Sequence, residues 1–156
     1  MDTVYFYSHR PEKYPSGQEW KHVFSNFSPH PIIIGGKGYS TSEHYYQSKK
    51  FEGTIYEEQV RLAPTPAQAA VMGRDKSLPL RADWEVAKDH YMRVALYAKF
   101  KCNDYLYERL MCTGDAHLEE RTKNDSYWGT GSDSAGGTGK NMLGILLMEL
   151  RAKLRT

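Results

Sequence analysis

The chain has 156 residues and a formal net charge of +2 at pH 7, a length that suits one domain with a core large enough to fold without disulfide bonds. Cys102 and Cys112 form no CxxC pair, and the six histidines lack HxH or HxxxH spacing, so we predict free thiols and no metal site. A pI of about 8.4 neither requires nor excludes a nucleic acid partner. Without an apolar run of membrane-spanning length or a signal-peptide pattern, we expect an intracellular, cytoplasmic protein that binds no membrane.

The first predicted elements are two short strands and a helix. Val4–Tyr7 and Pro31–Ile34 are short β-branched and aromatic runs, which favour strands, and Phe24–Pro29 between them is typical of a turn. The sequence Ser-Thr-Ser-Glu that starts at Ser40 matches a capping box, in which the first and fourth side chains bond free amides of the first helical turn. It predicts a helix over about Thr41–Phe51.

Helices dominate the rest of the chain. Thr65, with a proline after it, marks a helix start, and Gly73 marks its end. Asp83 precedes a long segment whose apolar residues recur at helical spacing, which predicts an amphipathic helix to about Lys101. The remaining predicted elements are a helix at 105–112, a short strand at 117–122 and a helix that begins near Met142.

These elements predict an α+β fold, mainly α-helical with a few short strands, as one domain over residues 1–156. The sequence lacks the strand-helix alternation of a doubly wound sheet. The glycine-rich stretch 129–141 does not match a Walker phosphate loop, because no strand precedes it, Ser134 replaces the first glycine and Asn141 follows the lysine. A nucleoside triphosphatase is therefore excluded.

One face of the helix predicted at 41–51 carries reactive groups. Glu43, Gln47 and Lys50 lie at i, i+4 and i+7, so they share that face. A carboxylate near a helix N-terminus can act as a base or an ion-pair partner, and a partly desolvated lysine can act as a nucleophile or bind an anion. The alternative is that Glu43 only completes the capping box and that Lys50 is solvated. The helix by itself leaves both interpretations open.

A second candidate site is the sequence Asn124–Gly129, which leads into the glycine-rich stretch. Asp125 and Trp128 suit a ligand whose ring stacks on the indole and whose polar edge meets the carboxylate, and glycines let the backbone approach it closely. The alternative is a long surface loop that Trp128 anchors to the core. The basic residues of segment 74–81 form either a solvated loop or a phosphate site.

Motifs along nearly the whole chain, from about Phe6 to Leu154, resemble in order and spacing the NADAR family of YbiA-like N-glycosidases. The motifs are Phe24-Ser25-Asn26-Phe27, Thr41-Ser42-Glu43-His44-Tyr45-Tyr46-Gln47, Met72-Gly73-Arg74-Asp75, Trp84, Arg93-x-Ala95-Leu96-x-Ala98-Lys99-Phe100, Asn124-Asp125-x-Tyr127-Trp128-Gly129 and Gly139-Lys140-Asn141-x-Leu143-Gly144.

The resemblance implies a compact, mainly helical domain and an N-glycosidase that needs no metal or redox cofactor. It places the catalytic carboxylate at Glu43, and Trp84, Asp125 and Trp128 at functional positions. One branch of the family hydrolyses phosphoribosylamino-pyrimidine intermediates of riboflavin synthesis, and another removes ADP-ribose from guanine in nucleic acid. The glycine-rich loop over residues 130–138 is longer than in the bacterial member, and because loops set substrate choice the substrate stays open.

Our leading hypothesis is an ADP-ribosylglycohydrolase that acts on guanine in DNA or RNA, with ADP-ribose or a ribosyl phosphate as the bound group. The alternatives are a hydrolase of riboflavin intermediates and a non-catalytic module that binds ADP-ribose or nucleic acid. The predicted catalytic residues are Glu43, Lys50 and Asp125. The predicted substrate-binding residues are Asn26, Phe27, Gln47, Arg74, Trp84, Asn124, Tyr127, Trp128, Gly129, Lys140 and Asn141.

Overall fold

A computed structural model describes residues 2–156 and confirms a mainly helical fold with short strands. In chain order the elements are β1 (Thr3–Phe6), 3₁₀ helices at Pro11–Lys13 and Glu19–Phe24, β2 (Ile32–Ile34), β3 (Lys37–Tyr39), α1 (Ser42–Lys49), α2 (Ile55–Arg61), α3 (Pro66–Gly73), α4 (Trp84–Lys101), α5 (Asp104–Met111), β4 (His117–Glu120) and α6 (Met142–Leu154).

The elements fall into two compact units. The central unit is Pro29–Cys102, and the terminal unit joins the segment up to Ser28 with Asn103–Thr156. The organisation of residues 1–156 as one domain stays a prediction.

The central unit is built around helix α1. Helices α2, α3 and α4 all pack against α1, and β2 pairs with β3 as an antiparallel ladder in which Ile32 lies opposite Tyr39. Every residue of α1 from Ser42 to Ser48 is buried, although most of them are polar. Burying polar groups is unfavourable unless they form hydrogen bonds, so most of the polar side chains of α1 must bond to neighbouring groups.

The terminal unit brings the two ends of the chain together. Strand β1 pairs with β4 in parallel, with Thr3 opposite His117 and Phe6 opposite Glu120. Helix α6 packs on β4, and α5 packs on α6. The large apolar side chains that fill this unit are Phe6, Phe24, Leu106, Leu110, Leu118, Leu143, Leu146 and Leu147.

The structure corrects the predicted start of the first helix. Thr41, and not Ser40, is the N-cap of α1, and its hydroxyl accepts a hydrogen bond from the backbone N–H of His44 at 3.2 Å. The predicted boundary was wrong by one residue because serine and threonine can both cap a helix and both precede α1. Helix α1 also ends at Lys49, two residues before the predicted end at Phe51.

Other boundaries differ for similar local reasons. Asp83 does occupy the N-cap position of α4, but its carboxylate makes no capping hydrogen bond and instead accepts one from Arg81 Nε at 2.7 Å. Helix α2 and strand β3 are additional elements that the sequence patterns did not predict. Both are short: α2 packs against α1, and β3 pairs with β2.

Two of the predictions from composition concern the cysteines and membrane-spanning helices. Cys102 and Cys112 are free and exposed. Among residues 2–156, no helix combines the length and the apolar character that crossing a bilayer requires.

Substituting Gly144 should destabilise the terminal unit. A Cβ at this position of α6 would lie 2.1 Å from the carbonyl oxygen of Leu118 in β4 and 2.5 Å from Asn141 Nδ2. Gly144→Ala must therefore push α6 away from β4, and we expect a loss of about 1–3 kcal/mol in the free energy of unfolding, the usual cost of overpacking. Urea unfolding measures it. Ile145→Ala, at a position 44% exposed on the same helix, is the control. Equal stability of the two variants would contradict the close approach of α6 to β4.

Candidate active site

The amine cluster comprises Glu43, Gln47, Lys50, Gly73 and Trp84, all in the central unit. Helix α1 places Glu43 and Gln47 one turn apart, and Gln47 Nε2 donates a hydrogen bond to Glu43 Oε2 at 2.6 Å. The two side chains are 8% and 6% exposed. Because Thr41 is the N-cap, Glu43 is the second residue of α1, where the helix dipole favours a carboxylate.

This geometry bears on the two interpretations of Glu43. Ser40 is not the N-cap, so the capping box that would have given Glu43 a purely structural role is not formed as predicted. The Glu43 carboxylate instead accepts a short hydrogen bond from a neutral amide. A buried carboxylate that is held in this way is suited to proton transfer.

Lys50 follows α1 directly, as its C-cap residue, and its ammonium group is confined. The Nζ atom donates to the carbonyl oxygen of Gly73 at 3.2 Å and lies 5.8 Å from the ring centroids of both Tyr46 and Trp84. Burial lowers the pKa of Lys50, while the nearby charge of Glu43 opposes that effect and the charge of Arg74 adds to it. Lys50 is thus partly desolvated, and a larger share of this amine is neutral than for a solvated lysine.

Trp84 and Arg74 complete the surroundings of Lys50. The indole of Trp84 is 5% exposed and packs against Tyr46 at 5.1 Å and Tyr91 at 6.2 Å between ring centroids. Trp84 therefore forms a wall behind the amine, and its stacking on a substrate ring stays a prediction. Arg74 is exposed at the end of α3.

The basic segment near Trp84 is not a uniform phosphate site. The Arg81 side chain is committed to Asp83 at 2.7 Å and to Glu52 at 3.2 Å. An arginine whose guanidinium already meets two carboxylates is poorly placed to bind phosphate. Arg74 stays the predicted phosphate contact in this segment.

In the terminal unit, Asp125 holds the backbone of Tyr127 and Trp128. Its Oδ1 accepts hydrogen bonds from the backbone N–H groups of Tyr127 at 2.9 Å and Trp128 at 2.8 Å. The rings of Tyr127 and Trp128 then meet edge to face, with centroids 4.9 Å apart. Asn124 precedes them as an exposed residue whose N–H donates to Thr122 Oγ1 at 3.2 Å. Asp125 thus has a structural role in the loop, and its predicted catalytic role stays a prediction.

The glycine-rich stretch surrounds a cleft of about 410 Å³. Lys140 lines it, and Lys140 Nζ lies 5.4 Å from the ring centroid of Tyr127. The fold requires glycine at the base of the loop, since a Cβ on Gly129 would lie 2.6 Å from Thr122 Cγ2 and one on Gly139 would lie 2.5 Å from the carbonyl carbon of Thr130. The other residues that line the cleft are Ser126, Thr130, Gly131, Ser132, Gly136, Gly137 and Thr138.

Asn141 joins this loop to the strand β4. Its backbone is left-handed, with φ of 54°, and its side chain is bound at both ends: Nδ2 donates to the Leu118 carbonyl at 2.9 Å and Oδ1 accepts from the Glu120 N–H at 2.9 Å. Asparagine tolerates this conformation better than most residues. These bonds account for Asn141 structurally, and its substrate contact stays a prediction.

Asn26 and Phe27 lie in the turn after the second 3₁₀ helix. Asn26 is 8% exposed, and the Phe27 N–H donates to Ser25 Oγ at 3.1 Å. The Phe27 ring lies 5.8 Å from that of His9. Their substrate contacts also stay predictions.

Contacts of Lys50 with Gly73 and Tyr46 were not predicted from the sequence. Gly73 was interpreted as a helix end and as part of a family motif, and the structure shows that its carbonyl accepts a hydrogen bond from Lys50. Tyr46 was named within a family motif, and its ring centroid lies 5.8 Å from Lys50 Nζ. The sequence feature that could have indicated the contact is the position of Gly73 between the apolar end of a helix and Arg74. A glycine at such a position lets another side chain approach the backbone closely.

Comparison with known families assigns the class of protein. The NADAR domain model matches residues 5–155. The chain belongs to the NADAR family.

Individual relatives narrow the class. The N-glycosidase YbiA of Escherichia coli is 50% identical over 131 residues, which cover 84% of this chain and 80% of YbiA. The solved NMR structure of E. coli YbiA superposes with a TM-score of 0.84 at 45% identity, over 99% of this chain and 85% of that one. The riboflavin biosynthesis protein VVA0006 of Vibrio vulnificus is 37% identical over 84% of this chain and 35% of its own length.

These similarities confirm the family and the fold that the sequence predicted. The name of the bacterial relative supports a glycosidase.

Replacing Lys50 with methionine should raise the midpoint of thermal unfolding at neutral pH. Burial lowers the pKa of Lys50 in the folded state. Between that lowered pKa and the ordinary pKa of lysine, the unfolded chain binds more protons than the folded one. The free energy of unfolding of the wild type therefore rises as the pH increases through this interval. The advantage of Lys50→Met should therefore be greatest below the folded pKa of Lys50 and shrink as the pH approaches the ordinary value. Calorimetric scans across this pH series measure it.

Lys76→Met, at an exposed lysine of the same unit, is the matched control and should show no such trend. A Lys50→Met advantage that grows with pH would contradict the lowered pKa of Lys50.

Proposed function

We propose that this chain is an N-glycosidase that cleaves the bond between ribose C1 and the exocyclic amine of a heterocycle, and that it removes ADP-ribose from guanine in nucleic acid. The observation that carries the proposal is the amine cluster, in which the confined Lys50 ammonium follows the helix that holds the buried Glu43 carboxylate. A carboxylate and an amine with a lowered pKa are the groups that covalent cleavage of such a bond needs.

The chemistry begins with opening of the ribose ring. An exocyclic-amine glycoside carries a nitrogen lone pair that expels the ring oxygen, so that C1 becomes an imine carbon and the ring oxygen takes up a proton. The neutral amine of Lys50 adds to C1 and forms a carbon bonded to two nitrogens. The Glu43 carboxylate takes up the protons that Nζ loses and passes them to the nitrogen of the heterocycle, which leaves with its bonding electrons as the free amine.

The second half of the cycle regenerates the enzyme. Departure of the heterocycle leaves an imine between Lys50 Nζ and C1. Water adds to that carbon, and Glu43 passes the two protons of the water to Nζ. The C1–Nζ bond then breaks to release ADP-ribose in its aldehyde form, which closes to the ring. The lowered pKa of Lys50 supports this route, because a lysine must be neutral to attack.

Binding of the phosphates is assigned to groups that offer positive charge or backbone amides. In the central unit, Arg74 supplies a guanidinium near Lys50. In the terminal unit, considered by itself, the cleft of the glycine-rich loop offers Lys140 and a backbone with several glycines as a second candidate anion site. Successive backbone N–H groups of such loops bind anions well. The length of the loop favours a diphosphate over a single phosphate.

A second candidate function is hydrolysis of phosphoribosylamino-pyrimidine intermediates of riboflavin synthesis. The similarity to a riboflavin biosynthesis protein of Vibrio vulnificus favours it. This substrate has the same kind of scissile bond but only one phosphate, so the amine cluster would act in the same way. A non-catalytic binding module is less consistent with the pairing of Glu43 and Gln47 beside Lys50.

The direct test supplies the purified protein with an oligonucleotide that carries ADP-ribosylated guanine. We expect release of ADP-ribose and of unmodified oligonucleotide, and Glu43→Gln should lower the rate by about a hundredfold while the variant stays folded, the range for a positioned acid or base. Chromatography follows both products, and circular dichroism checks the fold. Normal turnover by a folded Glu43→Gln variant would remove Glu43 from the mechanism.

The same assay separates the two substrates. Faster cleavage of the phosphoribosylamino-pyrimidine, with equal inhibition by ADP-ribose and ribose 5-phosphate, would assign the chain to the riboflavin branch. Inhibition by ADP-ribose that is stronger by about tenfold, or ~1.4 kcal/mol, supports the ADP-ribosyl branch.

A further inference from the structure

The side-chain amide of Gln47 occupies the space that a Cβ on Gly73 would take. A Cβ on Gly73 would lie 1.8 Å from Gln47 Oε1, 2.6 Å from Gln47 Cδ and 3.3 Å from Lys50 Nζ. Gly73 does not have a positive φ, so the backbone itself would accept an alanine. The contacts with Gln47 and Lys50, and not the backbone conformation, therefore explain why a glycine is required here.

The Gln47 amide is held in one orientation. Its Nε2 donates to Glu43 Oε2 at 2.6 Å, whereas its Oε1 is buried and accepts no hydrogen bond from any group in residues 2–156. Leaving a buried acceptor unpaired is unfavourable. The arrangement persists because Oε1 occupies the space beside Gly73 while Nε2 supplies the donor that the Glu43 carboxylate needs.

Gly73 also fixes the amine. Its carbonyl oxygen accepts the hydrogen bond from Lys50 Nζ at 3.2 Å. Gly73 of α3 thus lies against two side chains. Gln47 fills the space that a Cβ on Gly73 would take, and Lys50 Nζ donates to the Gly73 carbonyl. Because Gln47 in turn holds Glu43, a single glycine sets the positions of the carboxylate and the amine.

We propose that Gly73 is a positioning residue, whose lack of a side chain keeps Gln47 against Glu43 and leaves room for the Lys50 amine. The inference rests on the proposed function, in which Glu43 and Lys50 carry out the cleavage. Gly73 touches neither the substrate nor the reacting atoms in this scheme and acts through Gln47 and Lys50.

The test compares Gly73→Ala with Gly38→Ala. Gly38 lies in the same unit, has no positive φ and has open space where its Cβ would be. Gly73→Ala should lower kcat by about tenfold to a hundredfold, the size expected from a displacement of about 1 Å in a catalytic group, with little change in KM. Gly38→Ala should turn over as the wild type does. Circular dichroism should show both variants folded, because the group that must move is the flexible end of Gln47.

A double-mutant cycle separates positioning from a general structural effect. If Gly73 acts through Gln47, Gly73→Ala should cost little more than about twofold once Gln47→Ala is present, since coupled residues are not additive. A full second loss in the double variant would overturn the inference. Should Gly73→Ala alone fail to fold, the comparison of Gln47→Ala with the double variant still decides.

A readout without substrate keeps this inference distinct from the proposed function. The rate at which Lys50 reacts with an amine-specific acylating reagent, followed by mass spectrometry across pH, reports the protonation of Lys50 in the resting protein. Gly73→Ala should shift the midpoint of that profile, and Gly38→Ala should not. A wild type that cleaves neither substrate would contradict the proposed function, while an unshifted Lys50 profile in Gly73→Ala would contradict the role of Gly73.

Discussion

The hydrogen bond between Gln47 and Glu43 is the interaction on which the rest of the central unit depends. It joins two polar side chains at 2.6 Å inside a helix whose residues from Ser42 to Ser48 are all buried. Such a helix is stable only if its polar groups find partners in the surrounding elements. Helices α2, α3 and α4 and the β2–β3 hairpin pack around α1. The same packing confines the Lys50 amine that lies just beyond α1.

The loop of the terminal unit shows a different use of polar residues. Asp125 and Asn141 belong to the motifs that resemble the family, and the side chains of both form hydrogen bonds with the backbone. Asp125 accepts from the amides of Tyr127 and Trp128, and Asn141 bonds to strand β4. These hydrogen bonds constrain the glycine-rich loop next to its cleft of about 410 Å³. Pre-organisation of this kind lowers the entropy that a ligand must offset on binding.

The sequence predicted most reliably those features that repeat along one element. Helix α4 begins and ends where its apolar spacing indicated, and the shared face of Glu43 and Gln47 follows from helical geometry. Contacts between distant segments left no such pattern. The choice of Thr41 over Ser40 as N-cap, the parallel pairing of β1 with β4 and the contact of Gly73 with Gln47 all depend on packing, which local sequence does not encode.

The measurement that tests the central claim most directly is borohydride trapping during turnover of ADP-ribosylated guanine. Borohydride reduces an imine between Lys50 Nζ and ribose C1 to a stable amine, so peptide mass spectrometry should find the ribosyl adduct on Lys50, with none in Lys50→Arg. Other lysines, such as the exposed Lys76, should carry no more label than in a reaction that lacks turnover. Active turnover without any adduct on Lys50, together with an active Lys50→Arg variant, would contradict the account.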